Sequence, residues 1–142
     1  MKPLLFIDTW GWLTLHDRDE LRHDEVKTFV EDFFSSGGQA VTTDYVLDET
    51  INLLSRRLYV EKALETYAVI QEAESSGVLI IDWITPERFE RTMDLRARYD
   101  DKPGISCTDL SSMVVMQERG LRDVLTGDAH FQHVGLGFQC HP

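Results

Sequence analysis

The sequence predicts an α/β fold built around a largely parallel sheet. Short apolar runs alternate along the chain with longer segments whose apolar residues recur at helical spacing. Strands that are separated in this way by helices pair in parallel through right-handed crossovers. The length of 142 residues suits a single domain, spanning 1–142, that buries its own core without disulfides or structural metals.

The chain opens with a predicted strand, a helix and a second strand. Residues 4–7 are a short apolar run that ends at an acid, as a buried strand of such a sheet does. Apolar residues at helical spacing predict a helix over 22–34. The Ser-Ser-Gly-Gly sequence that follows ends this helix, because glycine tolerates the left-handed cap conformation. A second strand is predicted over 40–42.

Two helices precede the third strand. Residues 44–58 carry leucine and isoleucine side chains on one stripe, which predicts an amphipathic helix. A further helix over 60–75 is ended by Ser-Ser-Gly. The β-branched and apolar residues 78–81 follow as a strand.

The last part of the chain adds two helices and two strands. Thr85 as the cap and a proline at the first helical position predict a helix that runs to about residue 99. After a loop, a helix begins near Ser106 and ends near Gly120. Strands are predicted at 124–125 and, at an edge of the sheet, at 138–140.

Composition and charge exclude several classes of protein. Hydrophobic residues make up 42% and charged residues 27% of the chain, which excludes a disordered tail, and no apolar run approaches the roughly 18 residues of a membrane span. The apolar N-terminal run is too short for a signal peptide, and two cysteines are too few for a disulfide framework. We therefore expect a cytoplasmic protein without a membrane partner. The net charge of −11 argues against binding nucleic acid by bulk electrostatics.

Four acidic residues follow strands or begin helices of the predicted sheet. Asp8 and Asp128 each come after an apolar strand, while Glu49 and Asp109 lie in the first turns of helices. Because these positions meet at the ligand-binding edge of a parallel sheet, we expect the four carboxylates to converge. Converging carboxylates stay ionised only beside a cation, and hard oxygen ligands favour Mg²⁺ or Mn²⁺. Such a site suits hydrolysis of a phosphodiester by water.

Each of these acids also has a purely structural interpretation. Asp109 fits the acidic position of a capping box. Glu49 adjoins Asp48, and either side chain could be a solvated surface residue. Asp128 follows a glycine and could belong to a turn. Asp8 has the weakest structural alternative, because aspartate is depleted in strands and costly to bury unpaired.

Four short motifs resemble the acidic motifs of PIN domains. They are FIDT at 6–9, VLDET at 46–50, SCTD at 106–109 and LTGDAHF at 125–131. Because the four motifs occur in this order along one chain, the chain is similar to VapC-type toxins of toxin–antitoxin pairs. The resemblance implies a three-layer α/β/α sandwich with a central, mainly parallel sheet. It also implies an Mg²⁺- or Mn²⁺-dependent endoribonuclease that cleaves RNA, forms a homodimer and is blocked by a cognate antitoxin.

The resemblance also implies which residues form the site. The catalytic and metal-binding acids that match the family are Asp8, Glu49, Asp109 and Asp128. Of these, Glu49 would bind a second ion or orient the attacking water. Thr126 matches a hydroxyl residue two positions before the last acid, and Thr9 matches the small polar residue after the first.

Basic side chains gather in two predicted helical stretches. Candidate contacts to the phosphates of a substrate are Arg56, Arg91 and Arg98. The segment 86–103 holds five acids beside its five bases, so a solvated amphipathic helix is its simpler interpretation.

Other functions stay open at this point. The chain could be a housekeeping RNA-processing nuclease, a phosphatase with Asp8 as a covalent nucleophile, or a non-catalytic interaction module. The phosphatase would carry a second acid two residues after the nucleophile, where this chain has Trp10. A zinc site is disfavoured, because the spacing of His130, His133 and the C-terminal Cys-His pair matches no standard zinc finger.

Overall fold

A computed structural model describes residues 2–142 and shows one sheet of five parallel strands. Its strand order is β3-β2-β1-β4-β5. The strands are β1 (Leu4–Ile7), β2 (Gln39–Thr43), β3 (Leu79–Asp82), β4 (Asp123–Leu125) and β5 (Gln139–His141).

Helices connect and flank these strands. They are α1 (Thr9–His16), α2 (His23–Ser35), α3 (Asp44–Arg57), α4 (Val60–Ser75), α5 (Pro86–Arg98), α6 (Cys107–Arg119) and α7 (His130–His133). The predicted α/β fold with a parallel sheet is confirmed, and every predicted strand and helix ends within one residue of its observed end. Within residues 2–142, no helix is long and apolar enough to cross a membrane.

The predicted helix caps are formed by side chains. Thr85 Oγ1 accepts a hydrogen bond from the Arg88 amide at 3.2 Å, and Ser106 Oγ accepts one from the Asp109 amide at 3.1 Å. Gly120 ends α6 with a φ of 62°, a left-handed conformation that favours glycine.

Two helices, α1 and α7, are absent from the sequence prediction. Helix α1 has no apolar stripe, because it is buried on several sides and carries glycine and threonine among its apolar residues. Helix α7 is a single turn of four residues, too short to show a period. Helix α1 begins directly after Asp8, and α7 begins two residues after Asp128. The sequence prediction therefore lacks two helices that border the predicted acids.

Strand β1 lies at the centre of the sheet and fixes where the acids emerge. Phe6 pairs with Val41 of β2 and Val124 of β4, and Ile7 pairs with Leu125. These side chains are all fully buried. The register therefore places the residue after Ile7 beside the residue after Leu125, at the carboxyl edge of the sheet.

Helix α1 packs directly onto this central pair of strands. A Cβ atom added at Gly11 would lie 2.9 Å from the carbonyl oxygen of Leu125 and 3.0 Å from the Ile7 side chain. Only a residue without a side chain lets the helix approach so closely, and the approach aligns the first turn of α1 with the sheet edge.

We predict that Gly11→Ala destabilises the protein. The backbone carbonyl of Leu125 cannot move aside as a flexible side chain can, so overpacking is expected to cost about 1–3 kcal/mol of the free energy of unfolding, a fall in Tm of roughly 3–10 °C. Thermal unfolding measures it. Gly104→Ala is the matched control, because a Cβ at Gly104 would have no atom within 4 Å. Equal Tm values for the two variants would contradict this account of α1.

Candidate active site

Asp8 is a buried carboxylate held by two hydrogen bonds. It follows β1 and caps α1, and the whole residue is only 4% exposed. Its Oδ1 accepts a hydrogen bond from the Gly11 amide at 3.1 Å, and its Oδ2 accepts one from Thr126 Oγ1 at 2.6 Å. The carboxylate is therefore fixed in orientation by both the helix and the neighbouring strand.

Thr126 joins the ends of β1 and β4. Besides donating to Asp8, its hydroxyl accepts a hydrogen bond from the Asp128 amide at 3.0 Å. The carboxylate of Asp128 in turn accepts from the His130 amide at 2.9 Å. The predicted supporting role of Thr126 thus has a geometric basis, since one hydroxyl contacts two of the predicted acids.

The carboxylates of Asp109 and Asp128 both contact the imidazole ring of His130. His130 Nδ1 lies 3.2 Å from Asp109 Oδ2 and 3.1 Å from Asp128 Oδ2. Each of these residues offers one possible metal-ligand atom, and these atoms lie within 4.8 Å of one another. The cap of α6 is made by Ser106, and the Asp109 carboxylate faces His130.

Glu49 and Asp48 lie on different surfaces. Glu49 is half-buried and lines the same cavity as Asp8, Asp109 and Asp128. Asp48 is exposed and lines a separate cavity beside Trp83. The helical rotation of about 100° per residue directs adjacent side chains to different neighbours, so the structure places Glu49 with the other acids.

These side chains surround a cavity of about 480 Å³ at the carboxyl edge of the sheet. Within residues 2–142 its lining contains five acids, the four predicted ones and Glu20, against one base, Arg57. Arg57 Nη1 lies 3.7 Å from Glu20 Oε1. All four acids that the sequence predicted are therefore brought together in an environment with a large excess of negative charge.

Burial disfavours the ionised forms of Asp8 and Asp109. Desolvation and, to a smaller extent, the charges of Asp109 and Asp128 raise the pKa of Asp8 to about 7, against the lowering effect of its hydrogen bonds to Thr126 and Gly11. Desolvation also raises the pKa of Asp109, where His130 acts in the opposite direction. The ionised cluster would be stabilised by a cation placed among its oxygens.

Thr9 also lines this cavity. The residue is 8% exposed, and its buried Oγ1 has no hydrogen-bond partner among the described residues, which is costly. The oxygen-rich donor set of the four acids fits a hard divalent cation.

The arginines chosen from the sequence lie outside the cavity lining. Arg56 is exposed, Arg91 forms an ion pair with Glu118, and Arg98 lies 5.6 Å from the centre of the Tyr99 ring. Their contact with a substrate stays a prediction.

Sequence reasoning missed His130, Glu20 and Arg57 as members of the site. The signal for His130 was its position two residues after Asp128, which places both side chains in one turn. Arg57 is adjacent in sequence to the predicted Arg56, and only the helix phase separates them. Glu20 belongs to the connection between α1 and α2, where the sequence shows no periodicity.

A family model described as PIN domain matches residues 5–136, almost the whole length of the chain. The chain belongs to the PIN domain family. This PIN domain is similar to the VapC20 toxin of Mycobacterium tuberculosis, a sarcin–ricin loop cleaving toxin. The two chains are 26% identical, and the match covers 92% of this chain and 95% of that chain with a TM-score of 0.79.

Two other solved structures share the fold of this PIN domain. They are VapBC2 of Rickettsia felis bound to a DNA fragment from its promoter and DNA-bound VapBC of Salmonella typhimurium. The first is 14% identical with a TM-score of 0.71, over 97% of both chains. The second is 18% identical with a TM-score of 0.68, over 99% of this chain and 98% of that chain. No curated protein sequence matches the chain.

We predict that the contribution of Asp8 to the stability of the ion-free protein falls as the pH rises. Asp8 binds its proton up to about pH 7 when folded, but only up to about its ordinary value of 3.8 when unfolded. This contribution to the free energy of unfolding is therefore fully present below pH 3.8 and is lost as the pH rises through about 7.

Thermal unfolding in EDTA at pH 5.5 and pH 8 measures this dependence. Asp8→Asn should raise the Tm at pH 8 and flatten the pH profile, since it removes a carboxylate whose ionisation costs on the order of 2–4 kcal/mol. Asp48→Asn, at an exposed site, should leave the profile unchanged. If the Tm of the wild-type protein and that of Asp8→Asn change equally between these pH values, Asp8 is readily ionised and the prediction is wrong.

Proposed function

We propose that this PIN domain is an Mg²⁺- or Mn²⁺-dependent endoribonuclease that hydrolyses RNA phosphodiester bonds. The observation that carries the proposal is the convergence of Asp8, Glu49, Asp109 and Asp128 on one cavity with a single basic residue in its described lining. Carboxylates in this number are held together at neutral pH by divalent cations rather than by hydrogen bonds alone.

The residues that would hold the cation are Asp8, Asp109 and Asp128, with Glu49 contributing to a second ion or to the attacking water. A divalent cation there would offset the carboxylate charge, polarise a phosphoryl oxygen and lower the pKa of a water molecule. The oxygen donors suit Mg²⁺ or Mn²⁺. His130 also lies within reach of the same cluster, and nitrogen ligation is better tolerated by Mn²⁺ than by Mg²⁺.

Thr126 and His130 act as positioning residues in this proposal. Thr126 holds the Asp8 carboxylate and the Asp128 backbone in one arrangement, through contacts of 2.6 Å and 3.0 Å. His130 fixes the separation of the carboxylates of Asp109 and Asp128. Preorganised ligands reduce the free energy that is needed to assemble the site when substrate binds.

We further propose that the protein is the toxin of a toxin–antitoxin pair. The likeness to VapC20, over nearly the full length of both chains, supports this role and suggests the sarcin–ricin loop as substrate. The neighbouring solved structures are VapBC complexes, which supports a cognate antitoxin partner. A homodimer stays a prediction from the resemblance of the sequence motifs. A small neighbouring reading frame whose product blocks cleavage would separate a toxin from a housekeeping RNA-processing nuclease.

We predict that Asp8→Asn and Asp109→Asn each lower RNA cleavage at least about 100-fold, because each removes charge that stabilises the metal-bound site. Cleavage of total RNA and of a synthetic hairpin with the sarcin–ricin loop sequence, in Mn²⁺ and in EDTA, measures this effect. Undiminished cleavage by Asp8→Asn would refute the assignment. A trapped aspartyl-phosphate on the wild-type protein would favour the phosphatase instead.

Glu49→Gln and Asp48→Asn form a matched pair that tests the helix phase. Both remove one negative charge from neighbouring positions of α3, but only Glu49 lines the cavity. We expect Glu49→Gln to lower cleavage at least about tenfold and Asp48→Asn to leave it within about twofold of the wild-type rate. The reverse order would show that Asp48 is the functional acid.

A further inference from the structure

A second, smaller cavity adjoins the acidic one. It has a volume of about 250 Å³, and the residues Gly127, Asp128 and Ala129 line both cavities. Arg22 lines the smaller cavity. The turn that carries Asp128 thus faces a carboxylate-rich space and a space that contains a guanidinium group.

Arg22 is held on the face of an indole ring. Its guanidinium carbon lies 5.3 Å from the centre of the Trp10 ring. Its Nε and Nη2 donate hydrogen bonds to Glu25 at 3.1 Å and 3.0 Å. These contacts restrict the guanidinium plane, as stacking and a carboxylate fork do elsewhere. Two of its five N–H donors are used in this way, and three are left for another acceptor.

Trp10 is itself fixed against the turn that bears Asp128. A Cβ atom added at Gly127 would clash with the Trp10 ring, so the indole rests on the glycine backbone. Trp10 also lines the acidic cavity. The order of contact is therefore Arg22, Trp10, Gly127, with Asp128 as the next residue of the chain.

We propose that Arg22 binds a phosphate of the RNA strand beside the one that is cleaved, and that Trp10 is the residue that positions it. The proposal rests on the endoribonuclease function above. An arginine fork matches two phosphate oxygens, and its exposed pairing with Glu25 is weak enough for a phosphate to share or replace it.

A positioned arginine also compensates locally for the negative charge of the chain. A chain with a net charge of −11 attracts RNA poorly through its overall field, so a local, preoriented contact is required at the site. Arg22 supplies this contact next to the carboxylates. It does so without placing a basic group among the residues that would bind metal.

The test measures KM, kcat and their salt dependence in Mn²⁺ with the synthetic sarcin–ricin hairpin as probe. Arg22→Ala should raise KM about tenfold, leave kcat within about threefold, and reduce the slope of log(1/KM) against log[salt] by about one. Arg22→Lys should keep the wild-type salt slope, while its KM should lie between those of the wild-type protein and Arg22→Ala. Arg18→Ala is the matched control, since Arg18 is exposed and lines neither cavity.

A double-mutant cycle tests the part played by Trp10. Trp10→Leu should raise KM in the wild-type background and have no further effect in the Arg22→Ala background. Thermal unfolding of each variant shows whether the fold is kept. A loss of stability alone would not change the salt slope.

These experiments distinguish loss of the phosphate contact from loss of the nuclease activity itself. If the wild-type protein cleaves RNA while Arg22→Ala keeps the wild-type KM and salt slope, the phosphate contact is refuted and the nuclease stands. If the effects of Trp10→Leu and Arg22→Ala simply add, the positioning role of Trp10 is refuted. If the wild-type protein cleaves neither the hairpin nor total RNA in Mn²⁺, both proposals fail.

Discussion

The hydrogen bond from Thr126 to Asp8 is the contact on which the site depends. It joins the ends of the two central strands across 2.6 Å in a buried position. It exists because Ile7 and Leu125 pair in register, so that the next residue of each strand emerges at the same height. The same hydroxyl holds the backbone of Asp128. If the pairing of β1 and β4 shifted by one residue, the side chain of Asp8 or of Thr126 would point to the opposite face of the sheet, and the acids would be separated.

The electrostatic cost of this arrangement explains its chemistry. Burial, with a smaller effect of the surrounding carboxylates, raises the pKa of Asp8 to about 7. A carboxylate cluster built on rigid strand ends cannot relax apart, so its repulsion is relieved by protons or by cations. The overall acidity of the chain is in part a consequence of this site. It also means that a polyanionic ligand is attracted little by the field of the whole protein.

Much of the fold could be predicted from the sequence, because its strands and amphipathic helices have clear periods. Helix α1 could not, since it is buried between the sheet and its neighbours and shows no apolar stripe. The choice between Asp48 and Glu49 also needed the structure, because both lie on the same helix and only its rotation against the sheet decides which faces the cavity. Arg56 and Arg57 present the same difficulty at the other end of α3.

The sequence by itself determined the order of the five strands and the five longer helices along the chain, and the four acids at strand ends and helix starts. Those features are local, and they follow from periodicity and from the geometry of parallel sheets. Only the tertiary structure decided that His130 lies between Asp109 and Asp128 and that Arg22 rests on Trp10. The contact of His130 with Asp109 and that of Arg22 with Trp10 join residues 21 and 12 positions apart, and their geometry depends on how α1, α2, α6 and the 126–130 turn pack. Packing of that kind depends on the whole core, which no local pattern encodes.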